Sequence, residues 1–412
     1  MASIAFVALI GMAIAGTVPA MAKTQVRLLV WGSSDPYQPI VDQFEKANPD
    51  IDVRVEPAPA FGAYLDKLQV EIAAGMAPDV VGLSGAFVSH LAKAGALLSL
   101  DSYMARDGIN PNDFLPTGDI FRYNGKTYGI GTAYDIVGLL YNQDMFDSAG
   151  IQPPDENWTW SSLRTAAAKL TRRTNDKVLN YGVIMYAAPE YWGHASWMNF
   201  FAQNGVRPLN STKTKAAFNT PAGVEAVKFM TDFVLKDRSA PPVPEVYNWD
   251  FGKEQVAMDF SILPNPFPGL LQAAKFSWDV APIPKGKIRA AVTNTVGLGI
   301  TAQSTVKDAA WRFLKFAVTE GQKIIAARRS WMPVYKPAVA EYLKGMQKPR
   351  GFAEVLRVNA DYVVDMQFTP SWSQWTAALG TRIAEAVSGQ KSPEAALAQA
   401  EEEVNRILAQ EK

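Results

Sequence analysis

A chain of 412 residues with 40 Lys plus Arg against 40 Asp plus Glu has no net charge, so it offers no basic face for nucleic acid or an anionic membrane. It has no cysteine, which excludes a disulfide framework, a thiolate metal site and a lipid-modified thiol. The 11 Trp, 14 Tyr and 20 Phe suit a large core and also stacking against a flat, weakly polar ligand.

The first 22 residues carry no charge, and Ile4 to Gly16 form an apolar run that ends near Pro19 and Ala20-Met21-Ala22. This is the pattern of a secretory signal lacking its basic n-region, with cleavage expected between Ala22 and Lys23. The run is short for a membrane span of about 20 apolar residues. The mature protein is therefore expected in the periplasm. Asn157-Trp158-Thr159 and Asn210-Ser211-Thr212 match the glycosylation sequon and are read as unmodified loop residues.

Val26 to Trp31 is a nearly continuous apolar run, which predicts a buried parallel strand. Gly32 to Asp35 predicts a turn, Pro36 a helix start and Asp35 its cap. Ile40, Val41, Phe44 and Ala47 give that helix one apolar face, and Asn48-Pro49 stops it. Ile51 to Val55 predicts the next strand, so the opening is a right-handed βαβ unit. Tyr64 to Ala74 predicts a helix, Asp79 to Leu83 a strand, and Phe87 to Ala94 a short helix closed by Gly95. Gly125 to Tyr128 predicts a hairpin turn and Ile136 to Tyr141 another buried strand. Ser161 to Thr171 and Pro221 to Leu235 predict amphipathic helices. Trp278 to Ala281 and Val296 to Ile300 predict short strands. From Val306 the chain reads as mostly helical, and Ser392-Pro393-Glu394 caps the last helix. The alternation gives an α/β class with two lobes.

Several ordered stretches now carry a resemblance. They are VWGSSDPYQPIVDQFEKANPDIDV, AAGMAPDVVGLSG, GALLSLDSYM, NGKTYGIGTAYDIVGLLYNQDMFDSAG, FGKEQVAMDF, WDVAPIP and GLGITAQSTVKDAAWRFLKFAVT. In this order they resemble the extracellular solute-binding proteins of carbohydrate-uptake ABC importers, the maltose-binding type. The resemblance implies the two-lobed periplasmic binding protein fold, type II-like, with discontinuous lobes and a hinge cleft. It implies crossings near Tyr134-Asp135, Thr293-Asn294-Thr295 and Trp331-Met332-Pro333. The expected division is a signal over 1–22, an N-terminal lobe over 23–134 and 295–332, and a C-terminal lobe over 135–294 and 333–412. The implied partners are a small carbohydrate and a membrane permease, for a monomer with no cofactor and no metal.

A sugar has apolar CH faces and a rim of hydroxyls, so its site needs aromatic platforms and several hydrogen-bonding side chains. Loops after parallel strands are where such groups converge. Trp31, Ser33 and Asp35 end the first strand, and Ser84 ends the third. Trp31 as core and Asp35 as a mere helix cap is the plainer alternative. The resemblance implies an acidic ligand-binding residue at Asp135. Trp192 and His194 lie in the aromatic stretch Tyr186 to Phe201, where one or two side chains are expected to face the cleft. Asp259, Asn265 and Phe267 fall where the family carries an "AM…G-P-W" region; here Phe267 replaces the Trp and Asn265 the Gly. Asn294 enters the second crossing and Trp331 the third. Trp372 sits where the family has a stacking aromatic.

The rival class is a secreted carbohydrate-active enzyme, which needs two carboxylates at controlled separation. Asp135 and Asp259 are the candidates. Gly82-Leu83-Ser84-Gly85-Ala86 misses the nucleophile elbow at its last position, and only His90 and His194 could act as its base. A second rival is a binder of a non-sugar solute on the same fold.

Overall fold

A computed structural model describes residues 22–117, 120–175, 177–185, 197–265, 267–329, 331–344 and 346–411. Trp192, His194 and the expected signal segment before Ala22 lie outside the described residues.

The opening strand, Thr24–Trp31, buries Val26, Leu28, Leu29 and Val30 almost completely. It pairs in parallel with Ile51–Ala58 on one side and Val80–Ser84 on the other. The intervening helix, Gln38–Ala47, buries Ile40, Val41 and Phe44 against this sheet. It starts later than the sequence suggests. Gly32 at φ 77° turns the chain, Asp35 donates its backbone N–H to Ser33 Oγ at 3.0 Å, and Tyr37 holds the cap position. Asp35 is thus an exposed turn residue and not the helix cap.

Arg27 links these first elements. Its guanidinium bonds Glu56 at 2.9 Å and Glu71 at 3.0 Å, and Lys67 reaches Glu56 at 3.0 Å. The hydrogen bond from Arg27 holds the Glu56 carboxyl down at about 2, well below the usual carboxylate range.

The remaining pairings of this seven-stranded sheet are antiparallel. A 13-residue strand, Ile130–Asn142, crosses the molecule, and Asn294–Ile300 runs back beside it. The return strand is flanked by Val80–Ser84 on its other edge. Up to Asp135 the crossing strand pairs with the return strand; from Ile136 it pairs with Met258–Leu263 and Trp278–Ala281. One unbroken strand therefore serves two lobes. Within this sheet a parallel arrangement holds only for the first three strands, because a chain that crosses and comes back must reverse direction.

Helices cover both sheets. Lys307–Val318 and Glu320–Arg328 pack on the first lobe, with Trp311, Phe313 and Leu314 fully buried. Pro221–Thr231, Trp372–Val387 and Pro393–Ala409 pack together on the second. The last begins as its sequence predicts, with Ser392 Oγ accepting from Ala395 N at 3.2 Å.

Candidate functional site at the lobe crossing

The register of the sheet brings several expected residues to one edge. Ser84 lies opposite Val296, and Val296 opposite Ala133. Two residues further along, Asn294 lies opposite Asp135. Residues directly opposite each other share a face, and alternate residues of a strand share it too. Ser84, Asn294 and Asp135 therefore look the same way, with Ser84 and Asp135 roughly 12 Å apart from the strand spacings. Trp31 joins them. A Cβ on Gly82 would lie 2.8 Å from the Trp31 ring, so the ring rests on the bare backbone two residues before Ser84. Phe61 and Tyr64 meet its ring edge-on at 5.4 and 5.1 Å.

The segment around Met332 docks beside the long strand Ile130–Asn142. Tyr134 donates its backbone N–H to Met332 O at 2.9 Å, which sets Trp331 next to the Asp135 segment. The Trp331 ring meets Tyr37 at 5.3 Å. Tyr37 ends the loop that follows Trp31, so this ring pair ties that loop to the segment around Met332.

Polar atoms at this crossing lack protein partners. Asn294 Oδ1 and Trp331 Nε1 are buried without a hydrogen bond. Among the described residues the Asp135 carboxyl has no ion pair. It keeps some accessible surface, yet protein atoms enclose it, and this burial pushes its pKa up to about 7. Burial also raises the Tyr37 hydroxyl. The main chain here is well tied, since Thr293 Oγ1 donates to Asp135 O. The result is a rigid backbone carrying an acceptor, a donor and a convertible carboxyl beside aromatic rings.

Other expected residues lie elsewhere. Asp259 pairs with Leu140, whereas Leu263 pairs with Ile136 at the crossing. Asp259 is thus four positions, about 14 Å, down the strand. It lines a separate depression of about 520 Å³ with Tyr247 and Trp249. Phe267 is 3 % exposed and packs against Trp278 at 5.8 Å and Phe352 at 5.1 Å, so it is core of the second lobe and not a platform. Asn265 is exposed just past the crossing end of its strand. Ser33 is exposed in the first loop. Trp372 is 1 % exposed between Phe368 and Trp375, its ring covered by protein. Sequence reasoning passed over Tyr37, whose place in the first loop was a usable signal, and Phe368, whose surroundings come from distant segments.

Catalytic furniture is sparse. Ser84 does stand at a strand-to-helix turn, but His90 is exposed near the far end of the helix Gly85–Lys93. Among the described residues no group of three or more His, Cys, Asp or Glu side chains could hold a metal. No helix among them is long and apolar enough to cross a membrane.

A family model described as bacterial extracellular solute-binding protein matches residues 31–324. A binding protein of Brucella abortus is 25 % identical over 391 residues, covering 90 % of this chain and 89 % of its own. An ABC substrate-binding protein from Listeria monocytogenes, solved in complex with cycloalternan, is 28 % identical with a TM-score of 0.81. That match covers 94 % of this chain and 99 % of the solved one. A solute-binding protein from Thermotoga lettingae, bound with alpha-D-tagatose, is 25 % identical with a TM-score of 0.77, covering 94 % and 100 %.

Proposed function

We propose that this chain, which belongs to the bacterial extracellular solute-binding protein family, is a carbohydrate receptor that captures its sugar between two lobes. The observation that carries this reading is the set of groups at the lobe crossing. Asn294 Oδ1, Trp331 Nε1 and the Asp135 carboxyl are fixed on one site without protein partners, beside Trp31 and Tyr37. Sugar hydroxyls both donate and accept, so they satisfy all three. The solved Listeria and Thermotoga relatives, which hold cycloalternan and tagatose, support the same ligand class.

The lobes are residues 23–134 with 295–332, and 135–294 with 333–412. They close about the paired crossing segments. A ligand touching both binds the closed form better and shifts the population toward it. The closed surface is what an ABC permease in the membrane recognises. The protein acts as a monomer in the periplasm after loss of residues 1–22, needs no cofactor and catalyses no reaction. An enzyme on this site would need a second carboxylate near Asp135, and Asp259 stands in a different depression.

A thermal-shift screen against mono- and oligosaccharides and polyols tests the reading, because a ligand that binds only the folded protein raises its melting temperature. At least one sugar should raise the midpoint, and Asn294→Ala should abolish that rise. A panel without any stabilising sugar, alongside a stabilising amino acid or polyamine, would refute it.

A further inference from the structure

The two lobes touch at a contact built from both sides. Strand Val363–Val364 pairs with Ala291–Val292, and the chain then turns through Gln367, which adopts φ 53°. A non-glycine residue holds that left-handed conformation only where its surroundings enforce it. Here they do. Gln367 Oε1 accepts from Leu209 N at 2.8 Å and its Nε2 donates to Leu209 O at 2.9 Å. Its own N–H donates to Asp365 Oδ2 at 3.0 Å. Thr369 Oγ1 accepts from Trp375 Nε1 at 3.2 Å. The pinned turn holds Phe368 out toward the first lobe.

The receiving residue is Gly85, the first of its helix and the neighbour of Ser84. A Cβ on Gly85 would lie 2.3 Å from Phe368 Cε2, and its three nearest atoms all belong to that ring. Phe368 also lines an interlobe hollow of about 400 Å³ shared by Arg122, Asn124, Thr212, Lys213 and Thr214. The ring thus touches both Gly85, the neighbour of Ser84, and this hollow. The hollow presents hydroxyl, amide and cationic groups, which suit sugar hydroxyls.

We propose that Phe368 sets the length of ligand this chain accepts. Seated on Gly85, the ring partitions the cleft from the outer hollow and excludes saccharides that would have to run through. Removing the ring joins the two spaces. The inference rests on the carbohydrate reading and adds to it a length limit and the residue that imposes it.

Titration calorimetry with gluco-, manno- and galacto-configured series of one to six rings tests this on the parent, Phe368→Ala, Gly85→Val and the double variant. The parent should prefer its shorter ligands, and Phe368→Ala should improve the longest relative to the shortest by about tenfold or more. Gly85→Val should weaken every ligand by about tenfold, because the ring can no longer seat. Adding Phe368→Ala to it should restore binding, since two residues in contact are coupled. Thermal melts confirm that each variant is folded. Sugar binding with an unchanged length preference in Phe368→Ala, or no rescue in the double variant, overturns the partition and leaves the carbohydrate reading standing. Failure of every protein to bind any saccharide overturns both.

Discussion

Replacing Asp135 by Asn removes a carboxyl that the fold holds away from water, and the pH dependence of the effect is fixed by that burial. In the unfolded chain the group ionises near its ordinary value of 3.8; in the folded protein it ionises near 7. Between those values the folded state keeps a proton that the unfolded state has lost. Raising the pH therefore favours unfolding, so this group costs little below pH 4, progressively more up to pH 7, and a constant amount above it. The full gap is worth roughly 4 kcal/mol, of which roughly 2–3 kcal/mol falls between pH 5 and pH 8. Residual accessibility of the side chain favours the lower end. Urea unfolding of ligand-free parent and Asp135→Asn, at pH 5 and at pH 8, measures it. The variant should gain about 2 kcal/mol on the parent between the two conditions. Sugar binding should show the opposite face of the same proton. Hydroxyls that donate to the ionised carboxylate lower its pKa, so affinity should rise from pH 6 to pH 8 with proton release near neutrality. Two stability curves that stay parallel across this range would refute the claim that Asp135 is desolvated.

Trp331→Phe deletes an indole N–H that has no protein partner, so the ligand-free midpoint should not move, while affinity should fall about two- to tenfold by calorimetry. Trp372→Ala removes a fully buried ring and should cost about 3–5 kcal/mol in urea unfolding, whatever it does to binding. Asp259→Ala should leave sugar affinity unchanged in the same titration, because that residue faces a separate depression. Glu56, held ionised by Arg27, contributes stability above its ordinary pKa of 4.5 that disappears as pH falls through about 2. Glu56→Gln should flatten acid unfolding over that window by roughly 1–3 kcal/mol.

The sequence disclosed most of the elements and part of the site. Apolar runs such as Val26 to Trp31 and the cap at Ser392 are local signals, and both elements formed where those signals lay. Asp135 and Asn294 were legible only through the resemblance; their pairing follows from strand register, which no local pattern encodes. The same register removed Asp259 from the crossing, since an antiparallel partner carries its first residues away from the point where it ends. Phe267 was expected as a platform because the resemblance puts it where the family has a Trp, but Trp278 and Phe352 enclose it from distant segments. Phe368 carried no signal at all. Its role depends on a missing side chain at Gly85 and on Leu209 holding the turn beside it.

The return strand Asn294–Ile300 has a consequence for how the molecule comes into being. It is the piece that joins Val80–Ser84 to the crossing strand, so the central sheet lacks its middle until residue 300 of 412 has been made. Closing contacts over so long a stretch of chain is entropically slow. Ribosome-bound fragments ending before residue 294 should stay protease-sensitive along Ile130–Asn142, however well their helices form. The nascent chain thus spends most of its synthesis without a finished core, which is the state in which a polypeptide can still be threaded through a narrow pore.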